Sequence, residues 1–117
     1  MIHEVAKLHI LALPHTNNSR RGVKYISFLY QMVNRLGYVK LAKRNGNIVG
    51  VVAGFGKLIL TLAVHPKWQR KGIGRELVEE LKGKRWVYTE QQSVGFYEKV
   101  GFEKILKIGK IIFLCRK

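Results

Sequence analysis

The chain has 117 residues, enough for one domain with a single core that needs neither disulfides nor a structural metal. Its hydrophobic content is 47%, yet no apolar run approaches the ~20 residues of a membrane span, and Met1-Ile2-His3-Glu4 lacks the basic opening of a signal peptide; a cytoplasmic protein with no membrane partner is expected. The formal net charge is +15, from 22 basic and 7 acidic residues, and every acidic residue is a glutamate, with none between Glu4 and Glu76.

In chain order, Ile2 to Leu13 sets Ile2, Val5, Ala6, Ala12 and Leu13 on one side of a helix that Pro14 breaks. Thr16-Asn17-Asn18-Ser19 supplies turn and N-cap chemistry for a second helix from Arg20 to Leu36, with Val23, Ile26, Tyr30 and Val33, joined by Leu29 and Leu36, on one face and Gly37 as its stop. From Tyr38 the period becomes two. Tyr38 to Arg44 and Ile48 to Ala53 flank Asn45-Gly46-Asn47 as a hairpin, and Gly54-Phe55-Gly56-Lys57 turns into a third strand, Leu58 to Val64. His65-Pro66 closes that strand. A helix follows Gly74 and ends near Lys82, with Gly83 behind it. Arg85 to Thr89 reads as a strand, Ser93 as the cap of a short helix carrying Val94, Tyr97 and Val100, and Phe102 to Lys117 as two strands around Gly109-Lys110. No repeat or linker interrupts residues 1–117, so the expectation is one mixed α/β domain.

Chemistry concentrates around Gln69-Arg70-Lys71-Gly72-Ile73-Gly74. The segment lies between an apolar strand and an amphipathic helix, Arg75-Glu76-Leu77-Val78-Glu79-Glu80-Leu81. Glycines at a helix mouth let the backbone approach an anion, and the unpaired N–H groups of the first turn attract it with the helix dipole. A phosphate-bearing ligand fits such a turn, although an ordinary strand–turn–helix can carry the same glycines. Other candidates are weaker. Cys115, the single cysteine, sits in a strand pattern and reads as a packed bystander in a reducing compartment. His3, His9, His15 and His65 form no ligand pair at helical spacing, so no metal is expected.

The hexapeptide, preceded by Leu62-Ala63-Val64-His65-Pro66, and a second stretch, Phe96-Tyr97-Glu98-Lys99-Val100-Gly101-Phe102, together resemble the GNAT superfamily of acetyl-CoA-dependent N-acetyltransferases. The resemblance covers nearly the whole chain. It implies a single GNAT-like α/β domain with a mixed, mostly antiparallel central sheet flanked by helices, lacking the first strand that many members place before the first helix. It also implies acetyl-CoA as co-substrate. By the same resemblance the pyrophosphate would lie on the loop Gln69, Arg70, Lys71, Gly72, Ile73 and Gly74, with Arg75 beside it. The pantetheine arm would pair like an added strand with Leu62, Ala63 and Val64. Tyr97 would protonate the departing thiolate, a task for a phenol that holds its proton until a strong base appears; packing against Phe102 is the plain alternative.

This chain departs from the family pattern at three places. A missing first strand leaves an edge that a homodimer could cover. The family's frequent asparagine seven residues before the tyrosine and alanine four before it are here Glu90 and Ser93, which leaves the asparagine's coenzyme contact unassigned. The carboxylate-free run from Val5 to Arg75 removes the family's frequent base on the central strand. That leaves Glu90, His65 in its His-Pro turn, or a water chain.

The acceptor, a small-molecule or protein/peptide amine, is expected between the loop from His15 to Arg21, the central hairpin and the Tyr97 helix. A polyamine is disfavoured for want of carboxylates, and an acceptor with its own negative charge fits the basic chain better. The competing function is a coenzyme A-binding module without catalysis, whose basic surface holds nucleic acid or a partner protein.

Overall fold

The computed structural model describes residues 2–14 and 19–117. Helix α1 (Ile2–Ala12) buries Val5, Ala6, Leu8 and His9. Of the polar cluster expected to cap the second helix, Thr16, Asn17 and Asn18 lie outside the described residues, as does His15 of the expected acceptor loop. Ser19 is buried in a 3-10 turn, Ser19–Arg21. Gly22, at φ 97°, separates that turn from helix α2 (Val23–Leu36), which therefore starts three residues later than the apolar spacing predicts. Ile26 and Tyr30 form the buried stripe of α2, with Leu29 and Val33 half-buried beside them, whereas Leu36, expected on the same face, lies exposed in the last turn beyond the reach of the core.

Strands β1 (Tyr38–Arg44) and β2 (Asn47–Phe55) meet in a hairpin whose two turn residues, Asn45 and Gly46, both have positive φ. That is the turn whose twist matches paired strands. Strand β3 (Leu58–Val64) follows, then a 3-10 turn (Pro66–Trp68), helix α3 (Ile73–Glu80), strand β4 (Arg85–Thr89), helix α4 (Gln91–Lys99) and the hairpin of β5 (Glu103–Ile108) and β6 (Ile111–Arg116). The sheet order is β1-β2-β3-β4-β6-β5. Only β3 and β4 pair in parallel; every other neighbour is antiparallel. The mixed, mostly antiparallel sheet expected from the sequence is therefore present, and it opens with β1 directly after the helices. Lys40 and Lys43 stand exposed on this edge strand, the kind of charge that discourages pairing with another sheet.

Helices pack on both faces and make two cores. On one face α3 and α4 cover Val52, Ile59, Val87, Ile112 and Leu114. On the other, α1 and α2 cover Val51, Ala53 and Ala63. Strand β2 lies between both layers and is buried from Val49 to Gly54, which explains its unbroken apolar run. Two helix boundaries differ from expectation. Helix α3 stops at Glu80 rather than near Lys82, its last carbonyls at Val78 and Leu81 taken by the Arg116 guanidinium. Helix α4 starts at Gln91 with Glu90 as its N-cap; Ser93 is inside the first turn, its N–H donating to the Glu90 carbonyl at 3.1 Å.

Candidate active site

The central feature of the molecule is a fork in the sheet. Parallel pairing of β3 with β4 is confined to Leu58 with Trp86 and Ile59 with Val87, and beyond these the strands separate. The divergence coincides with a bulge. Strand β2 pairs Ala53 with Thr61 but Gly54 with Ile59, leaving Leu60 as the extra residue. A bulge bends its strand and re-aims the residues beyond it.

Past the bulge, β3 has one satisfied edge and one free edge. The His65 N–H donates to the Val49 carbonyl at 2.8 Å. Antiparallel partners alternate between bonded and non-bonded pairs, so Ala63 and Thr61 bond to β2 while Leu62 and Val64 turn their N–H and C=O groups toward the fork. The Val64 carbonyl there accepts from the Gln69 side-chain amide at 3.1 Å.

The glycine loop lies at the open end. His65 Nδ1 accepts the Lys67 N–H at 3.1 Å, so this imidazole caps the 3-10 turn after β3. Arg70 and Gly72 both take left-handed φ, 64° and 84°. For Arg70 this is a strained conformation of order 1–2 kcal/mol, and alternating hands of this kind curl successive N–H groups into an anion-binding concavity. Gly72 is the N-cap of α3, and the first N–H bonded within the helix is that of Glu76, to the Gly72 carbonyl at 2.9 Å. The N–H groups of Ile73, Gly74 and Arg75 stay available for a ligand. A Cβ on Gly74 would stand 2.9 Å from the Phe96 ring, so this glycine lets α3 and α4 close on each other. Arg75 braces the same junction, donating to the Lys99 carbonyl at 3.1 Å and pairing with Glu79 at 3.5 Å.

Fork, loop and α4 enclose a cleft of about 780 Å³. Of the residues singled out from the sequence, Leu62, Ala63, Val64, Gln69, Arg70, Gly72, Gly74, Arg75 and Tyr97 line it. Lys71 and Ile73 do not. The Lys71 ammonium rests over the Trp68 ring at 5.2 Å, and the Ile73 side chain is buried in the core. Glu90 is exposed and outside the lining, its carboxylate accepting from the Gln92 amide at 2.9 Å. Sequence reasoning missed Ala12, Leu13, Trp68 and Gln92 in the wall, because nothing local marks them, and gave Lys99 no role although it stands in the Phe96–Phe102 stretch. Phe96 both packs on the core and faces the cleft.

Tyr97 is buried at 6% exposure, its ring edge-on to those of Phe96 and Phe102 at 5.2 and 5.4 Å. Its hydroxyl forms no hydrogen bond among the described residues. Burial raises its pKa well above the ordinary tyrosine value, and Tyr38 pushes in the same direction. The group reaching the cleft wall is thus a protonated phenol.

A mixed sheet forked at its parallel pair, with a glycine-turned helix start at the fork's mouth and a tyrosine helix beside it, defines the acetyltransferase class of α/β folds. The chain belongs to the GNAT acetyltransferase family, whose domain model, described as "Acetyltransferase (GNAT) domain", matches residues 34–104. Solved structures agree in fold. The PH1933 protein of Pyrococcus horikoshii superposes with a TM-score of 0.81 at 20% identity, over 99% of this chain and 89% of that one. PaiA N-acetyltransferase of Thermoplasma acidophilum, solved with coenzyme A, gives 0.80 at 16% identity over 99% and 92%. YncA of Salmonella typhimurium, solved with acetyl-CoA, gives 0.72 at 22% identity over 97% and 86%. No curated protein sequence matches the chain.

Proposed function

We propose that the protein is an N-acetyltransferase that moves the acetyl group of acetyl-CoA directly to a primary amine. The observation that carries this reading is the free edge of β3, with Leu62 and Val64 turned to the fork, ending beside the unpaired N–H groups of Ile73 to Arg75. An extended arm with two amides can pair along that edge while its pyrophosphate rests on the helix start. To admit the arm, the Gln69 amide must leave the Val64 carbonyl, which frees it to face the ligand.

The chemistry derives from that placement. With the thioester at the fork, the amine nitrogen forms a bond to the acetyl carbon, the carbon–sulfur bond breaks, and sulfur leaves with the electron pair. The Tyr97 hydroxyl gives sulfur its proton, and the phenolate is restored by the proton that the nitrogen sheds as the amide forms. The low-dielectric surroundings that raise the phenol's pKa also penalise a bare thiolate, so the two groups stay matched in the site. We assign loss of the ammonium proton to Glu90 acting through water, since it begins the helix whose Gln92 and Ser93 line the cleft.

Acetyl-CoA at about 1 mM is expected to raise the melting temperature by several degrees, and release of free coenzyme A is expected only when an amine is supplied. The absence of any thermal shift overturns the reading.

A further inference from the structure

A second cavity lies on the other face of the sheet. Helices α1 and α2 and strands β2, β3 and β4 enclose about 300 Å³, at the low end of small-ligand pockets. We propose that this cavity receives the uncharged, apolar end of the acetyl acceptor, so that the substrate is a hydrophobic primary monoamine. The proposal rests on the acetyltransferase reading above.

Position is the first argument. Leu60 and Thr61 line this cavity, and the next two residues of β3, Leu62 and Ala63, line the coenzyme cleft. Across the gap stands Tyr88 of β4, one residue past the last parallel pair. The two cavities thus adjoin along β3, where it parts from β4. An amine held on this side would therefore meet a thioester held on the other. Tyr88 and Met32, 40% and 42% exposed, stand at the wall where solvent reaches it.

Chemistry is the second argument. Among the described residues no lysine, arginine or glutamate lines the cavity. Its walls are Ile26, Leu29 and Val33 from α2, Phe55 from β2 and Leu60 from β3. Two of the polar groups present serve each other: His9 Nδ1 lies 2.8 Å from the Tyr30 hydroxyl. Burial pushes the His9 pKa down to about 4, so this imidazole carries no charge near neutral pH. A second ammonium or a carboxylate placed here would lose its water without gaining a partner. An alkyl or aryl group would gain by burial. The cavity thus gives no support to the negatively charged acceptor suggested by the basic composition, which concerns the outer surface instead.

The test compares three amines of one length: pentylamine, 1,4-diaminobutane and 5-aminopentanoate. They differ only in a methyl, an ammonium or a carboxylate at the far end. Pentylamine is expected to exceed both others in kcat/KM by at least about 10-fold. Equal or better turnover of either charged amine, or turnover of none while the acetyl-CoA thermal shift is intact, overturns the pocket assignment and spares the acetyl-CoA reading. Loss of the shift itself overturns both. A charge-placing variant adds an independent arm. Leu29→Asp, on a half-buried position of α2, is expected to narrow or reverse the preference against 1,4-diaminobutane. An unchanged ratio in a variant that still shows the acetyl-CoA shift also overturns the assignment.

Discussion

Tyr97 combines burial, a protonated hydroxyl and an unoccupied hydrogen-bonding position on the cleft wall, which is what a proton donor to sulfur needs. Replacing it with phenylalanine keeps the ring contacts with Phe96 and Phe102 and removes only the hydroxyl. Tyr97→Phe is therefore expected to lower kcat by about 100-fold or more while leaving the acetyl-CoA thermal shift in place; loss of the shift would recast the residue as structural. Glu90→Gln separates a base from an amine that arrives neutral, since a full rate with an unaltered pH profile removes Glu90 from the mechanism. His9 makes a different demand. Its folded pKa of about 4 lies below the ordinary 6.5, so the unfolded chain binds more protons between those values. Stability is then full above about pH 6.5 and falls by up to about 3 kcal/mol as the pH drops toward 4. Chemical denaturation at stepped pH checks this, and His9→Gln should flatten the dependence in that window.

Among the elements, the start of α3 and the middle of α4 act as one unit because Gly74 leaves room for the Phe96 ring. Gly74→Val would wedge them apart, since a Cβ at 2.9 Å from a ring carbon must displace something. Its expected signature is a KM for acetyl-CoA raised by about 10-fold with a reduced thermal shift; an unchanged KM would mean that the junction does not shape the phosphate site. The sequence makes these elements legible to unequal degrees. The bounds of β1, β3 and β4 follow from alternation between turn residues, because a strand end is a local event. The start of α4 does not, as Ser93 offers better capping chemistry than Glu90 and only the register of β4 with β6 decides where the chain turns. The break at Gly22 is hidden for a related reason: a helical apolar spacing continues across it. The bulge at Leu60, which opens the fork, has no local marker at all, and the apolar cavity beside it exists only once five elements meet. The glycine loop and Tyr97 were legible because their motifs are contiguous in the chain.

For the whole molecule, the charge is arranged as well as large. The net charge is +15, and the only carboxylate before Glu76 is Glu4. Two of the glutamates on α3 are already engaged, Glu76 with Arg44 at 2.7 Å and Glu79 with Arg75 at 3.5 Å. The mouth of the coenzyme cleft, with Arg70, Arg75 and Lys99 in its wall and Lys71 nearby, faces an approaching anion with little to oppose it. Clefts of one sign concentrate ligands of the other and speed their capture. Such steering acts across solvent, so it weakens as the Debye length shrinks from ~10 Å at 0.1 M salt to ~3 Å at 1 M. The KM for acetyl-CoA is therefore expected to rise several-fold between these salt concentrations, while the KM for an uncharged-tailed amine such as pentylamine moves much less, because its pocket presents no charge. Initial rates measured at fixed pH with sodium chloride varied separate the two. Equal salt dependence for both substrates would show that the basic surface serves the fold as a whole rather than the capture of an anionic co-substrate.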